Sequence, residues 1–387
     1  MTDINHVLIG LVKSAVITGS EPDGDLFSGT DINSLLALAK KHYVLPPVCC
    51  SLLKYSGQSD EDFKKQMLAK TGSAVKRYYD LENELKTVGD VFSKAGIRYI
   101  PLKGAVMRGY YSEPWMRTSC DTDILIHEED LEQAQHLLET ELGYRFAPIN
   151  SHDVSAFSPS GTHLELHYRL SDSEKAAAEN DPARSVWEYS QPSAPGSCCW
   201  KMQDEMFYYY HICHMAKHFK HGGCGIRPLI DLAVLRKTSL RDIREKAEPL
   251  LSRGGLSQFA ALMERLTDIW FYEGQHDDTT KTVEAYLLKG GIYGNTENRV
   301  SVQQAKKGNR RKYLLSRIWL PARSLKYRYP SLEKHKYLLP VYEVRRWFSD
   351  VFSKRLSRGI RELSASKSVS GEQQADTEKM LADLGLL

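Results

Sequence analysis

Apolar positions recur at helical spacing through roughly the first quarter of the chain, and a short block of alternating positions follows. Residues 7–17 form an amphipathic segment, and Glu21-Pro22-Asp23-Gly24 reads as a turn. Thr30 or Asp31 is placed to cap a helix whose apolar face carries Leu35, Leu36, Leu38 and Ala39, and Pro46-Pro47 is expected to stop it. Over residues 60–94 the spacing of Met67, Val75, Tyr78, Tyr79, Leu81, Leu85, Val88, Val91 and Phe92 predicts a long helix, closed by Gly96.

The period then falls to two. Residues 97–102 and 121–127 are predicted strands, separated by a turn at Lys103-Gly104 and a short helix over 105–111. A helix over 128–142 has acidic residues in its first turn, where they suit the helix dipole. A third strand is expected over 144–147. Residues 154–157 and 163–167 form a hairpin around Ser158-Pro159-Ser160-Gly161. After a loop marked by Pro182, Pro192, Pro195 and Gly196, helical spacing resumes over 204–221, 228–237, 240–251 and 256–272. The pattern predicts an α+β fold, with a small mixed β-sheet and its flanking helices embedded in a largely helical chain. The expected divisions are an N-terminal helical region (1–95), the α/β core (96–170), a helical domain (200–300), a basic, aromatic-rich C-terminal region (301–365) and a flexible tail (366–387).

Composition narrows this further. The chain has 387 residues, more than one compact core usually spans. Its 42% apolar and 26% charged residues exclude a wholly disordered chain. The apolar run over residues 6–18 is interrupted by Lys13 and reads as a core helix, not a signal peptide. No stretch approaches the ~20 apolar residues of a membrane span. Seven cysteines, with adjacent pairs at Cys49-Cys50 and Cys198-Cys199, do not suggest a disulfide framework, so a reducing cytoplasm is the expected setting.

The net charge of +3 conceals an asymmetry. Between Lys306 and Arg361 there are 17 Lys+Arg against 3 Asp+Glu, a local charge of +14, and the rest of the chain carries −11. Such a segment suits an anionic partner (nucleic acid, a membrane surface or phosphate groups) or the acidic body of its own chain. Trp319, Tyr327, Tyr329, Tyr337, Tyr342, Trp347 and Phe348 lie within it, too many aromatics for simple disorder.

The sharpest chemical signal is Asp121-Thr122-Asp123, followed at once by Ile124-Leu125-Ile126. A strand alternates its faces, so the two acids point the same way, roughly 7 Å apart. Carboxylates placed so repel unless a cation lies between them. Mg²⁺ prefers oxygen ligands and leaves positions for phosphate oxygens, the requirement of a metal pair clamping an in-line phosphoryl displacement. In His163-Leu164-Glu165-Leu166-His167 the leucines face the core and Glu165 the other side, where it serves as a third ligand or as general base. A bare D-x-D is usually a solvated turn. It also occurs in glycosyltransferases, where the apolar run precedes the acids. Here Trp115-Met116-Arg117-Thr118-Ser119-Cys120 precedes them, and that is not such a strand.

Together, Ile100-Pro101-Leu102-Lys103-Gly104, Tyr110-Tyr111, Arg117, residues 121–126 and Gly143-Tyr144 resemble the uncharacterised nucleotidyltransferase family of bacteria, within the polymerase-beta-like superfamily. The L-K-G and R-x-x-x-D-x-D elements match, with Arg117 four residues before Asp121, and Glu165-Leu166-His167 matches the family's E-L-H segment. The likeness extends to residues 39–44 with Pro46-Pro47, and to His214-Met215-Ala216-Lys217-His218 with Leu229-Ile230-Asp231-Leu232.

The resemblance implies transfer of a nucleoside monophosphate from an NTP, such as ATP, to an acceptor by two Mg²⁺ or Mn²⁺ ions. Asp121, Asp123 and Glu165 would hold the metals. Lys103, Gly104 and Arg117 would hold the triphosphate, with His167, His214, His218 and Asp231 also at the nucleotide. Many members of the superfamily have Gly-Ser where this chain has Lys103-Gly104. There Gly104 would permit close backbone approach and Lys103 would supply counter-charge. The acceptor (protein, RNA, a sugar phosphate or a small molecule) stays open. A catalytically silent nucleotide-binding scaffold and a D-x-D glycosyltransferase are the alternatives. His214 and His218, at i and i+4, also have zinc-ligand spacing, with Cys224 or Asp231 able to complete a set.

Overall fold

The computed structural model describes residues 3–57, 60–170, 180–238, 240–292, 294–325, 328–332, 334–351 and 355–387. The fold is α+β. The chain forms two compact units, Met1–His214 with Ile226–Thr280, and Met215–Gly225 with Lys281–Leu387. Among the described residues no helix is long and apolar enough to cross a membrane, and all seven cysteines are free.

In the first unit a five-stranded sheet is built from β1 (Tyr99–Pro101), β2 (Asp121–Ile126), β3 (Arg145–Phe146), β4 (Asp153–Phe157) and β5 (His163–His167). Their order is β1-β2-β5-β4-β3. β2 and β5 run parallel at the centre, and the other neighbouring pairs are antiparallel. A short ribbon pairs β6 (Ser190–Pro192) with β7 (Trp200–Met202).

The alternating pattern has a direct physical reading here. Ile124, Ile126, Leu164 and Leu166 point to one face and are fully buried. They pack with Val88, Val91 and Phe92 of the helix Glu61–Lys94 and with Ala134 and Leu138 of the helix Leu131–Leu142. The opposite face of β2 and β5 carries Asp121, Asp123, His163, Glu165 and His167. The long helix starts where Asp60 accepts from the Asp62 and Phe63 amides, a side-chain cap for donors that have no partner within the helix.

Several boundaries differ from the sequence expectation. Pro46 and Pro47 open the helix Leu45–Lys54 rather than ending the one before it, because proline in the first turn gives up an amide that has no helical acceptor. Lys103-Gly104 is not a separate turn. The helix Lys103–Met107 begins there and passes into a 3₁₀ turn over Arg108–Tyr110. The helix expected over 128–142 opens as a 3₁₀ turn at Glu128–Asp130.

The loop between Tyr111 and Cys120 is fastened to the helix Arg227–Arg236 by a buried ion pair. Arg117 Nε donates to Asp231 Oδ1 at 3.0 Å and Nη2 to Oδ2 at 2.9 Å. Tyr111 Oη donates to the same carboxylate at 2.7 Å, and Arg227 Nη1 donates to the Thr118 carbonyl at 2.7 Å. Burial works against both charges. Their mutual attraction outweighs it, raising the Arg117 guanidinium and lowering the Asp231 carboxyl from their ordinary values.

In the second unit Val300, Tyr313 and Ala365 form a small core, and Glu362 receives both Arg299 and Arg317. Part of the basic segment is therefore neutralised locally. Tyr329 stacks on Tyr342, while Tyr337 and Phe348 are exposed. Tyr327 lies outside the described residues. The residues read as a flexible tail include the helix Gly371–Asp383. Ser370 caps it, and Leu381 and Leu384 are fully buried, an apolar spacing masked by the polar residues around it.

Removing one partner of a buried, bidentate ion pair leaves an uncompensated charge. Asp231→Ala is expected to lower unfolding free energy by about 3–5 kcal/mol in urea titrations followed by circular dichroism. A loss below about 1 kcal/mol, the range of an exposed pair, would show that this pair does not anchor the loop.

Candidate functional site

The register of the central strands assembles the site. Asp121 lies opposite His163, Asp123 opposite Glu165, and Leu125 opposite His167. Three carboxylates and two imidazoles thus share one face of two adjacent strands. Ligand atoms of Asp121, His163 and Glu165 lie within 4.8 Å of one another, as do those of Asp123, Glu165 and His167. A third such group, His152, Asp153 and His167, shares His167 with the second of these.

Asp123 is the buried centre of this cluster. Its Oδ1 receives Lys103 Nζ at 2.6 Å and lies 3.1 Å from His167 Nε2. Lys103 Nζ is also 3.6 Å from Glu165 Oε2, and His167 Nε2 is 3.4 Å from the same oxygen. Burial pushes the Asp123 carboxyl up, but the Lys103 charge and the His167 hydrogen bond overcome that and hold it well below the usual carboxylate range. Asp121 behaves oppositely. Burial and the neighbouring Asp123 and Glu165 raise it, with Lys103 and Arg227 offsetting part of the effect. Burial also opposes the Lys103 ammonium, yet Asp123, Tyr210 and Glu165 together keep it protonated above its ordinary range. Two adjacent carboxylates thus have opposite protonation tendencies within one cluster.

Lys103 reaches the acids from the first position of its helix. Its φ of 42° lies in the left-handed region that residues with a side chain enter at a cost. The neighbouring Leu102 amide donates to the Asp123 carbonyl at 2.9 Å, which docks this corner on β2. A cleft beside Lys103 is lined by Pro101, Val106, Tyr110, Phe207 and Tyr210, with Asp204 also at its wall.

The remaining residues singled out from the sequence fall into separate places. Gly104 is buried, and a Cβ there would meet Arg117 Nη1 at 2.9 Å and Ser119 Oγ at 3.1 Å. Its lack of a side chain admits the arginine, and no approach of backbone to a phosphate is needed to explain it. Arg117 and Asp231 are turned away from a triphosphate role because each is buried against the other. His214 falls in the first unit and His218 in the second. Neither belongs to a group of three or more metal-ligand side chains among the described residues, and with Asp231 held by Arg117 the zinc alternative has no support.

Sequence reasoning passed over Arg108. It is buried, donates from Nε to the Gly104 carbonyl at 2.8 Å and from Nη2 to Ser119 Oγ at 2.9 Å, and pairs with Glu82. Its place four residues after Gly104 was the only available signal. Tyr210, which lines the cleft, was hidden in an aromatic run that reads as ordinary core.

The donor set fits a divalent cation. Three carboxylates supply the oxygens that Mg²⁺ and Mn²⁺ prefer. His163 Nε2 and His167 Nδ1 are buried ring nitrogens without a hydrogen-bond partner among the described residues, an arrangement that is costly unless something else meets them.

His167 carries a readable signature. Burial and the Lys103 charge lower its pKa, but hydrogen bonds to Asp123 and Glu165 and the Asp123 charge raise it above the ordinary histidine value. A raised folded-state value stabilises the fold at pH below the unfolded histidine range, and that contribution is lost as pH rises through the raised value. An NMR titration of the His167 ring is expected to show a midpoint above that of an exposed histidine. In Asp123→Asn the midpoint should fall, since only the Glu165 hydrogen bond then opposes burial and the Lys103 charge. An unchanged midpoint in the variant would show that Asp123 does not set this proton.

A comparison with curated proteins finds no match. Residues 28–272 match the family described as uncharacterised nucleotidyltransferase, a span that contains the whole sheet, the acid cluster, Lys103 and the Arg117–Asp231 pair. Because the match covers well over half of the chain, the protein belongs to this uncharacterised nucleotidyltransferase family.

Proposed function

We propose that the protein transfers a nucleoside monophosphate from an NTP to an acceptor, with Asp121, Asp123 and Glu165 as ligands of Mg²⁺ or Mn²⁺. The observation that carries this reading is the parallel register of β2 and β5, which sets Asp123 directly beside Glu165 with Asp121 two residues before it on the same face. Three acids converging on one face of the sheet repel one another, and a divalent cation bound there would offset that repulsion.

Bound divalent cations would polarise the phosphoryl oxygens and neutralise charge developing on the leaving pyrophosphate. The chain's own residues would do the positioning. Asp123, held ionised by Lys103 and His167, supplies fixed negative charge. Asp121, whose carboxyl is raised by burial and its neighbours, would ionise more readily with a cation beside it. Lys103 offers an ammonium to the triphosphate from beside the acids. Glu165, partly exposed on its strand, is placed to accept the acceptor's proton if it is not fully used as a ligand. The small cleft with Tyr110, Phe207 and Tyr210 gives an aromatic wall next to Lys103.

Arg117 and Asp231 act as positioning residues. They hold the loop that leads into β2, and so the direction of Asp121. A cytoplasmic setting, where NTP and Mg²⁺ are supplied together, goes with this reading. The acceptor is not specified by these residues.

Incubation with ATP radiolabelled at its α-phosphate, Mg²⁺ or Mn²⁺ and a cell extract should move label onto an acceptor, with pyrophosphate released. Asp121→Ala, Asp123→Ala and Glu165→Gln should each reduce the transfer by at least about 100-fold, equivalent to about 2.7 kcal/mol of transition-state stabilisation. Tight ATP binding with no transfer from the wild type would instead indicate a nucleotide-binding protein without catalysis. Transfer from nucleotide-sugars but not from NTPs would favour a glycosyltransferase.

A further inference from the structure

Lys103 and the proposed divalent cation make a claim on the same oxygens. The ammonium is 2.6 Å from Asp123 Oδ1 and 3.6 Å from Glu165 Oε2. His167 Nε2 meets both of those oxygens from another side, at 3.1 and 3.4 Å. A carboxylate oxygen that accepts a hydrogen bond from an ammonium has less charge to offer a metal. A divalent cation beside it also meets a like charge a few ångströms away.

The lysine is not a chance surface group that swung inward. Its side chain is only 19% exposed. Its backbone is held at a φ of 42°, and the Leu102 amide ties the preceding residue to the Asp123 carbonyl. The fold therefore delivers this ammonium to this carboxylate. At the same time Lys103 borders the cleft with Val106, Tyr110 and Tyr210, so its flexible four-carbon stem gives it a second direction to turn. A triphosphate entering there brings anionic oxygens that are better partners for an ammonium than a carboxylate shared with a metal.

We propose that Lys103 is a built-in competitor of the divalent cation at Asp123. It is drawn off by the triphosphate, so that metal and nucleotide bind cooperatively. The inference rests on the reading of Asp121, Asp123 and Glu165 as metal ligands. It goes beyond that reading by assigning Lys103 two alternating partners. Before substrate arrives the lysine neutralises the acids and lowers their affinity for free metal. Once the triphosphate takes the ammonium, Asp123 regains its full charge for the cation. By linkage, the metal must strengthen nucleotide binding by the same factor by which nucleotide strengthens metal binding.

The test uses the full chain and two binding measurements that need no catalytic activity. In the first, Mn²⁺ alone is titrated and free Mn²⁺ is read by electron paramagnetic resonance, for wild type, Lys103→Met, Lys103→Gln, Asp123→Asn and the double variant that combines Lys103→Met with Asp123→Asn. Both lysine variants are expected to bind Mn²⁺ more tightly than wild type, by roughly tenfold, within the range of ordinary site-to-site coupling. Asp123→Asn should bind it more weakly.

In the second, the affinity for a fluorescent, non-hydrolysable ATP analogue is measured with EDTA and with saturating Mn²⁺. The gain on adding Mn²⁺ should be about tenfold smaller in Lys103→Met than in wild type, the part of the coupling that passes through the lysine. Circular dichroism melts of the two lysine variants identify any that fail to fold, and the remaining one carries the comparison.

Equal or weaker Mn²⁺ binding by the folded lysine variants overturns the competitor role. So does an Mn²⁺-dependent gain in analogue affinity that is unchanged by Lys103→Met. In either case Asp123-dependent Mn²⁺ binding would leave the metal reading standing. If Mn²⁺ binding is insensitive to Asp123→Asn in both the wild-type and Lys103→Met backgrounds, the metal reading fails, and the inference fails with it.

Discussion

Everything at this site depends on one piece of backbone pairing, the parallel alignment of β2 with β5. In a parallel pair the side chains of facing residues emerge on the same side, so the register of two strands decides which chemistry meets. Here it sets Asp123 beside Glu165 and Leu125 beside His167. The same register puts Ile124 beside Leu166 on the other face, in the apolar layer under the long helix. A slip of one residue would send the acids into that layer and the isoleucines into the cleft. The core and the site therefore specify each other. The apolar packing that stabilises the sheet also makes the convergence of three carboxylates unavoidable.

That convergence must be balanced electrostatically, and the balance is local. Lys103 and His167 share a single oxygen of Asp123, while Asp121 is left with burial and like-charge neighbours. A second charge pair, Arg117 with Asp231, stands apart from the acids and fastens the segment that leads into β2. The two arrangements use charge differently. One is a closed, bidentate pair with a tyrosine hydroxyl completing it, which suits a fixed anchor. The other is a cation on a flexible stem shared between two acids, at a strained backbone position bordering a cleft, which suits a partner that can be exchanged.

The strands and the faces of their side chains were legible because alternation over residues 121–126 and 163–167 is a strong local signal. The convergence of Asp121, Asp123 and Glu165 followed from that alternation, although the parallel pairing itself is a long-range contact that local spacing does not report. What stayed hidden had the same cause. Arg117, four residues before Asp121, reads from sequence as a phosphate ligand. Only the distant Asp231 shows that its charge is already matched. Gly104 looks like a place for close phosphate approach, while its neighbours Arg117 and Ser119 reveal a packing requirement. The helix Gly371–Asp383 was obscured because Met380, Leu381 and Leu384 are few among many polar residues, and burial of so short an apolar stripe is decided by what packs on it.

The central claim is that these three carboxylates form a divalent-cation site used with a nucleotide. Crystals grown with Mn²⁺ and a non-hydrolysable ATP analogue test it most directly, through the anomalous scattering of manganese. The expected result is an anomalous peak coordinated by Asp121, Asp123 and Glu165 oxygens at about 2.1 Å, with the analogue's phosphates completing the shell. A well-ordered analogue with no manganese at these acids, or with manganese bound only at His152 and Asp153, would contradict it.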